Sequence, residues 1–539
     1  VKLERHFCTA GLITGTLFFA FSLTPSLLPR TNLAQGLISG FSLAAGYGIG
    51  VFSRWLWNYL ELPLPNNKLQ RTIKIITAAL CGLLVVLFLW RAAAWQNSIR
   101  SLMEMEETAA IHHFAIGLIS ILIFALCIGL AKVFRRCFQY LSKKLQHYIP
   151  RRVSHLLAFV LAITIFWTVI NGVLFSLTMR SLDSSYQQFD VLLEPEYDPP
   201  GKPTRTGSPD SLLDWDNVGR QGRRFLARGP TAAEIEDFLD TTALEPIRVY
   251  VGLNAADSPE KQAHLAFQEL KRVDAFKRSL MTLITPTGTG MVDPNAIEPL
   301  EYLHRGDVAS VTAQYSYLPS YLAIFAEAEY GYEVARALFE KVYDHWSTLP
   351  EDQRPDLYLH GLSLGAMNSD RSFDLYDIID DPFQGVLWSG PPFRSSTWRE
   401  ITRQRRPESP PWLPRFRDDS VVRFANQTGG FEEGKSPWGD FRIAFLQHAS
   451  DPITFFEPDS FYREPEWMES PRGPDVTEQL RWFPVVTGLQ LIADMAFGYS
   501  PPGYGHNFTT EHYLESWYHL TEPEGWTTTE LERLRDHIR

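Results

Sequence analysis

The sequence predicts an α-helical transmembrane bundle of about five spans, followed by an α/β domain with a mainly parallel sheet. Three observations carry that expectation. Long apolar stretches fill the first 180 residues, strand and helix patterns alternate from residue 246 to residue 539, and charge divides between the two regions. Up to Arg180 there are 17 Lys and Arg against 5 Asp and Glu; beyond it there are 33 against 57, within a net charge of −12. A chain of 539 residues, 45% hydrophobic and 21% charged, is long enough for several domains and too apolar for global disorder. The acidic C-terminal region excludes a general nucleic-acid binder, which needs cations to replace phosphate counterions.

The apolar stretches run over Phe7–Leu28, Leu33–Tyr59, Ile73–Trp90, Ile111–Val133 and Val153–Met179. Each approaches or exceeds the ~20 residues that a helix needs to cross a hydrocarbon core. The first lacks a small-residue cleavage site, so it reads as a membrane helix and not as a removable signal. Basic residues alternate between loops. Lys2 and Arg5 precede the first span, Arg54, Lys68, Arg71 and Lys74 follow the second, and Lys132 to Arg152 follow the fourth with seven cations and no acid. That alternation predicts a cytoplasmic N-terminus and places everything after Met179 on the far, periplasmic or extracellular, side of the cytoplasmic membrane. His112-His113 starts a span and reads as an interfacial pair; Asn171 reads as a hydrogen-bonding residue between helices. Cys8, Cys81, Cys127 and Cys137 all lie in the first third, at spacings that build neither a disulfide framework nor a metal site.

Residues 1–180 are thus the expected membrane domain, 181–245 a linker or juxtamembrane segment rich in Pro and Gly, and 246–539 the α/β domain. The stretch Asp214–Asp240 is open between a linker on the membrane surface and the first element packed on the next domain. Strands are expected at 247–252, 280–285, 308–313, 356–360, 385–388 and 441–447, with helices at 258–273, 321–346 and 475–497.

Gly361-Leu362-Ser363-Leu364-Gly365 follows the fourth strand as G-x-S-x-G. Strand, tight turn and helix together form an elbow that lifts a serine hydroxyl above the strand ends, so Ser363 is the candidate nucleophile. A serine needs a base, and the base needs an orienting carboxylate. Asp451 in His448-Ala449-Ser450-Asp451-Pro452 follows the last strand and is the candidate acid; Asp418, Asp419 and Asp440 follow no strand as well. His506 in Gly503-Tyr504-Gly505-His506-Asn507-Phe508 is the candidate base. His512 falls on the next helix, and His448 is close to Asp451 in sequence. A metal reading of His506 and His512 lacks a third ligand. The oxyanion donors are expected to be Leu364 N–H and Thr287 N–H, the latter in Thr285-Pro286-Thr287-Gly288-Thr289-Gly290. No Gly-Lys-Ser/Thr follows those glycines, which argues against a P-loop. Residues 388–392 are expected at the site mouth, and the Pro- and Arg-rich 399–417 segment as a cap over an acyl pocket.

On these residues the C-terminal region resembles the α/β-hydrolase superfamily. The whole chain resembles a bacterial multi-span membrane family with a C-terminal α/β-hydrolase domain. The matching segments are Ser22-Leu23-Thr24-Pro25-Ser26-Leu27-Leu28-Pro29-Arg30, the Thr285–Gly290 loop, Gln314-Tyr315-Ser316-Tyr317-Leu318-Pro319-Ser320 and the serine elbow. The resemblance implies a cofactor-free Ser-His-Asp hydrolase acting through an acyl-enzyme on esters, and five spans point to lipid or lipid-linked substrates. An acyltransferase using the same acyl-enzyme and a non-catalytic scaffold or transporter with a relict domain are the alternatives; a homo-oligomer is left open.

Overall fold

The computed structural model describes residues 7–63, 66–108, 112–175, 190, 197–318, 328–432 and 434–538. Two compact units divide the chain: Val1–Arg180 with Phe456–Ser500, and Ser181–Phe455 with Pro501–Arg539. This division differs from the expected boundaries in two ways. The 181–245 segment groups with the α/β unit, and Phe456–Ser500 leaves that unit for the helical one.

The helical unit contains α1 (Thr9–Ser22), α2 (Asn32–Tyr59), α3 (Asn67–Leu102), α4 (His113–Leu145) and α5 (Arg151–Trp167), the last continuing in π-helical turns through Phe175. Among the described residues four helices, α2 to α5, are long and apolar enough to cross a membrane. The first expected stretch, Phe7–Leu28, is not among those four. Fourteen residues of α1 rise about 21 Å, short of a hydrocarbon core of ~30 Å. The helix stops at Ser22 because Pro25 and Pro29 follow, and neither can donate to a continuing ladder. The end of the fifth apolar stretch, 176–179, and the side chain of Asn171 lie outside what is described. Leu83, Val86, Trp90, Leu122 and Leu156 are exposed along α3 to α5, as lipid-facing positions should be. Small residues let the helices meet: a Cβ on Gly40 of α2 would stand 2.6 Å from Ile123 Cβ of α4.

Leu23 to Pro29 lie outside any helix yet are buried. Their polar groups are met within the same unit by the Val486–Phe497 helix. Asp494 Oδ2 accepts the N–H of Leu27 at 3.1 Å, Asp494 Oδ1 accepts Arg30 Nε at 2.9 Å, and Gln490 Nε2 donates to Thr24 O at 3.1 Å. Phe483 stacks on Phe21 with centroids 4.2 Å apart. The helix expected from 475 begins only at Val486, because Pro484 and the left-handed Val485 (φ 65°) precede it.

In the α/β unit, β1 (Ile247–Val251), β2 (Leu280–Thr285), β3 (Val308–Ala313), β4 (Asp356–Leu362), β5 (Gly385–Ser389), β6 (Val422–Ala425) and β7 (Arg442–Leu446) form one sheet. Its order is β1-β3-β2-β4-β5-β7-β6, and every pairing is parallel. Helices α6 (Pro259–Arg272), α7 (Pro294–Leu303), α8 (Ala328–Trp346), α9 (Leu364–Asp370) and α10 (Thr510–Thr521) belong to the same unit. Strands such as β1, β3 and β5 are buried at every position, the pattern of parallel strands covered on both faces. Six strands fall where the sequence places them. The seventh, β6, is a four-residue edge strand with a single neighbour, too short to show a period. The start of the expected 321–346 helix lies outside the described residues. Asp214–Asp240 resolves as an element packed in this unit: Arg223, Phe225, Leu226 and Ile235 are all buried.

Candidate active site

Ser363 sits between β4 and α9 with φ 59° and ψ −124°, a strained backbone for a residue with a side chain. The surroundings enforce it. A Cβ on Gly365 would stand 2.1 Å from Thr285 O, and one on Gly361 would stand 2.4 Å from Gly365 C, so only glycine fits on either side. Ser363 N–H donates to Ser389 O at 3.0 Å, which fixes the elbow to the end of β5. Leu362 pairs with Ser389, and Ser389 with Leu446, so β4, β5 and β7 end side by side.

Asp451 follows β7 and is fully buried. Its Oδ2 accepts His506 Nδ1–H at 2.7 Å and Thr454 Oγ1–H at 3.1 Å, and its Oδ1 accepts Ile453 N–H at 2.8 Å. Burial alone would raise the carboxyl pKa; the charge and hydrogen bond of His506, with the Ile453 N–H, outweigh it and hold the group below its ordinary value. His506 packs on Gly390, where a Cβ would stand 2.5 Å from the ring. Gly390 follows β5 directly, beside the elbow. With Nδ1 donating to Asp451, the imidazole presents Nε2 as an acceptor. That atom is buried and has no hydrogen-bond partner among the described residues. The structure therefore joins acid to base, and it leaves the serine–histidine hydrogen bond unmade. Such bonds are often long before substrate binds.

The two oxyanion donors fare differently. Leu364 N–H opens α9, where a helix leaves its first N–H groups without intrahelical partners. Thr287 lies in the loop that meets the elbow, but its N–H is donated to Met291 O at 3.0 Å. Thr287 N–H is thus not a free donor in this arrangement, a correction to the sequence expectation: the Thr287–Met291 turn closes on itself. Tyr250 Oη–H donates to Gly290 O at 2.7 Å and pins that turn.

Trp388, expected at the mouth, lies within β5. It is buried, with Nε1–H donated to Ser369 Oγ at 3.0 Å. The 399–417 segment is anchored near the end of β7, where Gln447 accepts Trp398 Nε1–H at 2.7 Å and donates to Trp412 O at 3.0 Å. Of the competing acids, Asp419 pairs with Arg406 and Asp418 accepts from Ser420. Among the described residues no group of three or more His, Cys, Asp or Glu side chains is arranged to hold a metal.

Sequence reasoning missed several groups. His448 Nδ1 bonds Gly505 O at 2.8 Å, and His448 Nε2 meets His512 Nδ1 at 3.2 Å. Burial holds both imidazoles neutral, with pKa values pushed down to about 4 and about 3. Asp293 caps α7, and burial lifts its carboxyl to about 6 against the pull of Asn295 N–H, Arg224 and His506. The nearness of His448 to Asp451 in sequence was the available signal for the first.

No curated protein and no solved structure matches the chain significantly. Residues 23–230 match the model described as the alpha/beta-hydrolase family N-terminus, and residues 247–534 match that of the alpha/beta-hydrolase family itself. With a parallel sheet, a strained serine elbow and a match over residues 247–534, the chain belongs to this alpha/beta-hydrolase family.

Proposed function

We propose that the protein is a membrane-embedded serine hydrolase of the esterase or lipase type. Ser363 attacks an ester carbonyl while His506 Nε2 takes its proton. Asp451 holds the imidazole in the required tautomer and stabilises the imidazolium. Leu364 N–H faces the developing oxyanion at the start of α9. The alcohol leaves with the proton returned by His506, and water then cleaves the acyl-enzyme. The observation that carries this reading is the buried 2.7 Å Asp451–His506 bond, whose outer nitrogen is left for the serine. Thr287 N–H can serve as second donor only by leaving Met291 O. Four long apolar helices favour an ester that reaches the site from a bilayer, hence a lipid or lipid-linked substrate. The basic residues between α4 and α5 favour a cytoplasmic turn there, which supports a catalytic domain on the periplasmic or extracellular side.

The test is labelling of membranes with a fluorophosphonate probe, native protein against Ser363→Ala, with mass mapping of the adduct. An adduct on Ser363 that the variant loses supports the reading. Absence of any adduct on folded native protein overturns it and favours a non-catalytic scaffold.

A further inference from the structure

Gly505 is the residue before the candidate base, and both of its peptide groups are held by the segment that carries the acid. Its C=O accepts from His448 Nδ1 at 2.8 Å, and its N–H donates to Ser450 Oγ at 2.9 Å. The next residue along that segment, Asp451, accepts the His506 Nδ1–H. A carbonyl only accepts, so His448 must carry its proton on Nδ1. Its Nε2 is then a lone pair, and His512 Nδ1–H supplies the donor at 3.2 Å. His448 is fully buried, and its ring stacks on Phe508 with centroids 4.4 Å apart. Gly505 itself sits at φ 55°, and Gly503 at φ 89°, in a loop that glycine makes compliant.

We infer that His448 is a positioning residue for the base, acting through the Gly505 carbonyl; this rests on reading the site as a serine hydrolase. The His448 ring bonds the backbone beside the base, and among the described residues it makes no hydrogen bond to Ser363 or to the Asp451 carboxylate; its own C=O accepts Asp451 N–H at 3.1 Å. It removes one of the two freedoms of the Gly505 peptide, and Ser450 removes the other. Without it His506 keeps its acid but loses its fixed approach to the serine, and a misplacement of about 1 Å costs on the order of 10²-fold in rate.

Three variants of the full chain in detergent decide the matter: His448→Asn, His448→Gln and His448→Leu. The asparagine amide nitrogen sits where Nδ1 does and can donate to Gly505 O; that of glutamine sits where Nε2 does and cannot. Turnover of a soluble p-nitrophenyl ester should stay within about threefold of native in the asparagine variant. It should fall about 10- to 100-fold in the other two, in kcat and not in KM. Hydrogen exchange in the 501–508 peptide should quicken only in those two. Native kcat in His448→Leu, glutamine rescuing as well as asparagine, or equal collapse of all three would overturn the inference. If His448→Leu does not fold, the asparagine–glutamine contrast carries the test alone. If the native protein neither turns over the ester nor takes the fluorophosphonate, the hydrolase reading fails. The order of exchange rates then still supports the clamp, or overturns it if the variants exchange alike.

Discussion

Arg30–Asp494 in the helical unit and Arg248–Glu301 in the α/β unit are both buried to within 1% of full enclosure, yet they answer different needs. In the α/β unit the pair lies between regular elements, and one helix-end carbonyl, Phe225 O, leans on it. Arg248 on β1 therefore spends its guanidinium on tying elements together: two bonds to Glu301 of α7, one to Phe225 O, and a face laid on the Phe225 ring at 4.7 Å. In the helical unit the pair lies where the backbone has left the helix. Asp494 serves Arg30 and also the N–H of Leu27, which has no ladder to join. A buried pair between ordered elements is replaceable in principle; one that completes a broken backbone is not.

That contrast can be broken by replacement. Removing one partner, by Asp494→Ala or Glu301→Ala, should cost about 3–5 kcal/mol in either unit, because a charge is left buried alone. The apolar doubles should separate the two. Arg248→Met with Glu301→Leu should recover most of the loss. Arg30→Met with Asp494→Leu should not, because Leu27 N–H stays orphaned. Denaturant unfolding followed by tryptophan fluorescence and by proteolysis within 456–500 measures both; equal recovery would erase the distinction.

Glycines sharpen the comparison next. Gly365→Ala drives a Cβ to 2.1 Å from Thr285 O, a backbone atom fixed by the sheet, and should abolish fluorophosphonate labelling of Ser363. Gly40→Ala meets Ile123 Cβ at 2.6 Å and Ser120 O at 3.0 Å, atoms that give way only if α4 shifts from α2, and should lower thermal stability with labelling intact. Loss of labelling in both would mean that the elbow is no stiffer than the helix contact.

Acid should separate the units as well. His304, His360 and His448 in the α/β unit have pKa values pushed down to about 4 by burial, and His512 to about 3. Each binds a proton near 6.5 when unfolded. The unfolded chain therefore takes up protons first, so the stability these groups confer is complete above about pH 6.5 and drains as pH falls toward 4. Each contributes up to about 1.4 kcal/mol per pH unit over that window. Melting at pH 7.5 and 5.5 should show the α/β unit losing the most; a pH-independent melt would contradict the burial of these rings.

What the sequence made legible follows the same division. Six strands, the elbow and the pairing of Asp451 with His506 were readable because each leaves a local mark: an apolar run, a glycine pair, a carboxylate just past a strand and an imidazole in a glycine-flanked loop. Thr287 was placed in the right loop, but its N–H was already taken by Met291 O, four residues on, and no pattern announces a turn that closes on itself. The grouping of 456–500 with the helical unit was illegible because it depends on Asp494 meeting Arg30 across 464 positions of sequence. The first apolar stretch, Phe7–Leu28, gave a longer helix than α1 because hydropathy averages across Leu23 to Leu28, where the helix has already ended at Ser22 before Pro25.

The smallest expected effect asks where α2 begins. Thr31 caps α2 by accepting Ala34 N–H at 3.2 Å, and Thr231 caps the Ala232–Leu239 helix by accepting Glu234 N–H at 3.3 Å. In water an uncapped N–H finds a solvent partner, so Thr231→Ala should cost about 1 kcal/mol. Thr31 is exposed on the protein surface, where its cap meets either water or lipid. If α2 starts in the headgroup region, Thr31→Ala costs about the same 1 kcal/mol. If the cap lies within hydrocarbon, the orphaned N–H has no substitute partner and the cost rises to several kcal/mol. Measuring both variants by thermal melts in the same nanodiscs turns a helix cap into a depth gauge: equal losses put the α1–α2 connection at the water's edge, and a larger loss at Thr31 puts it inside the bilayer.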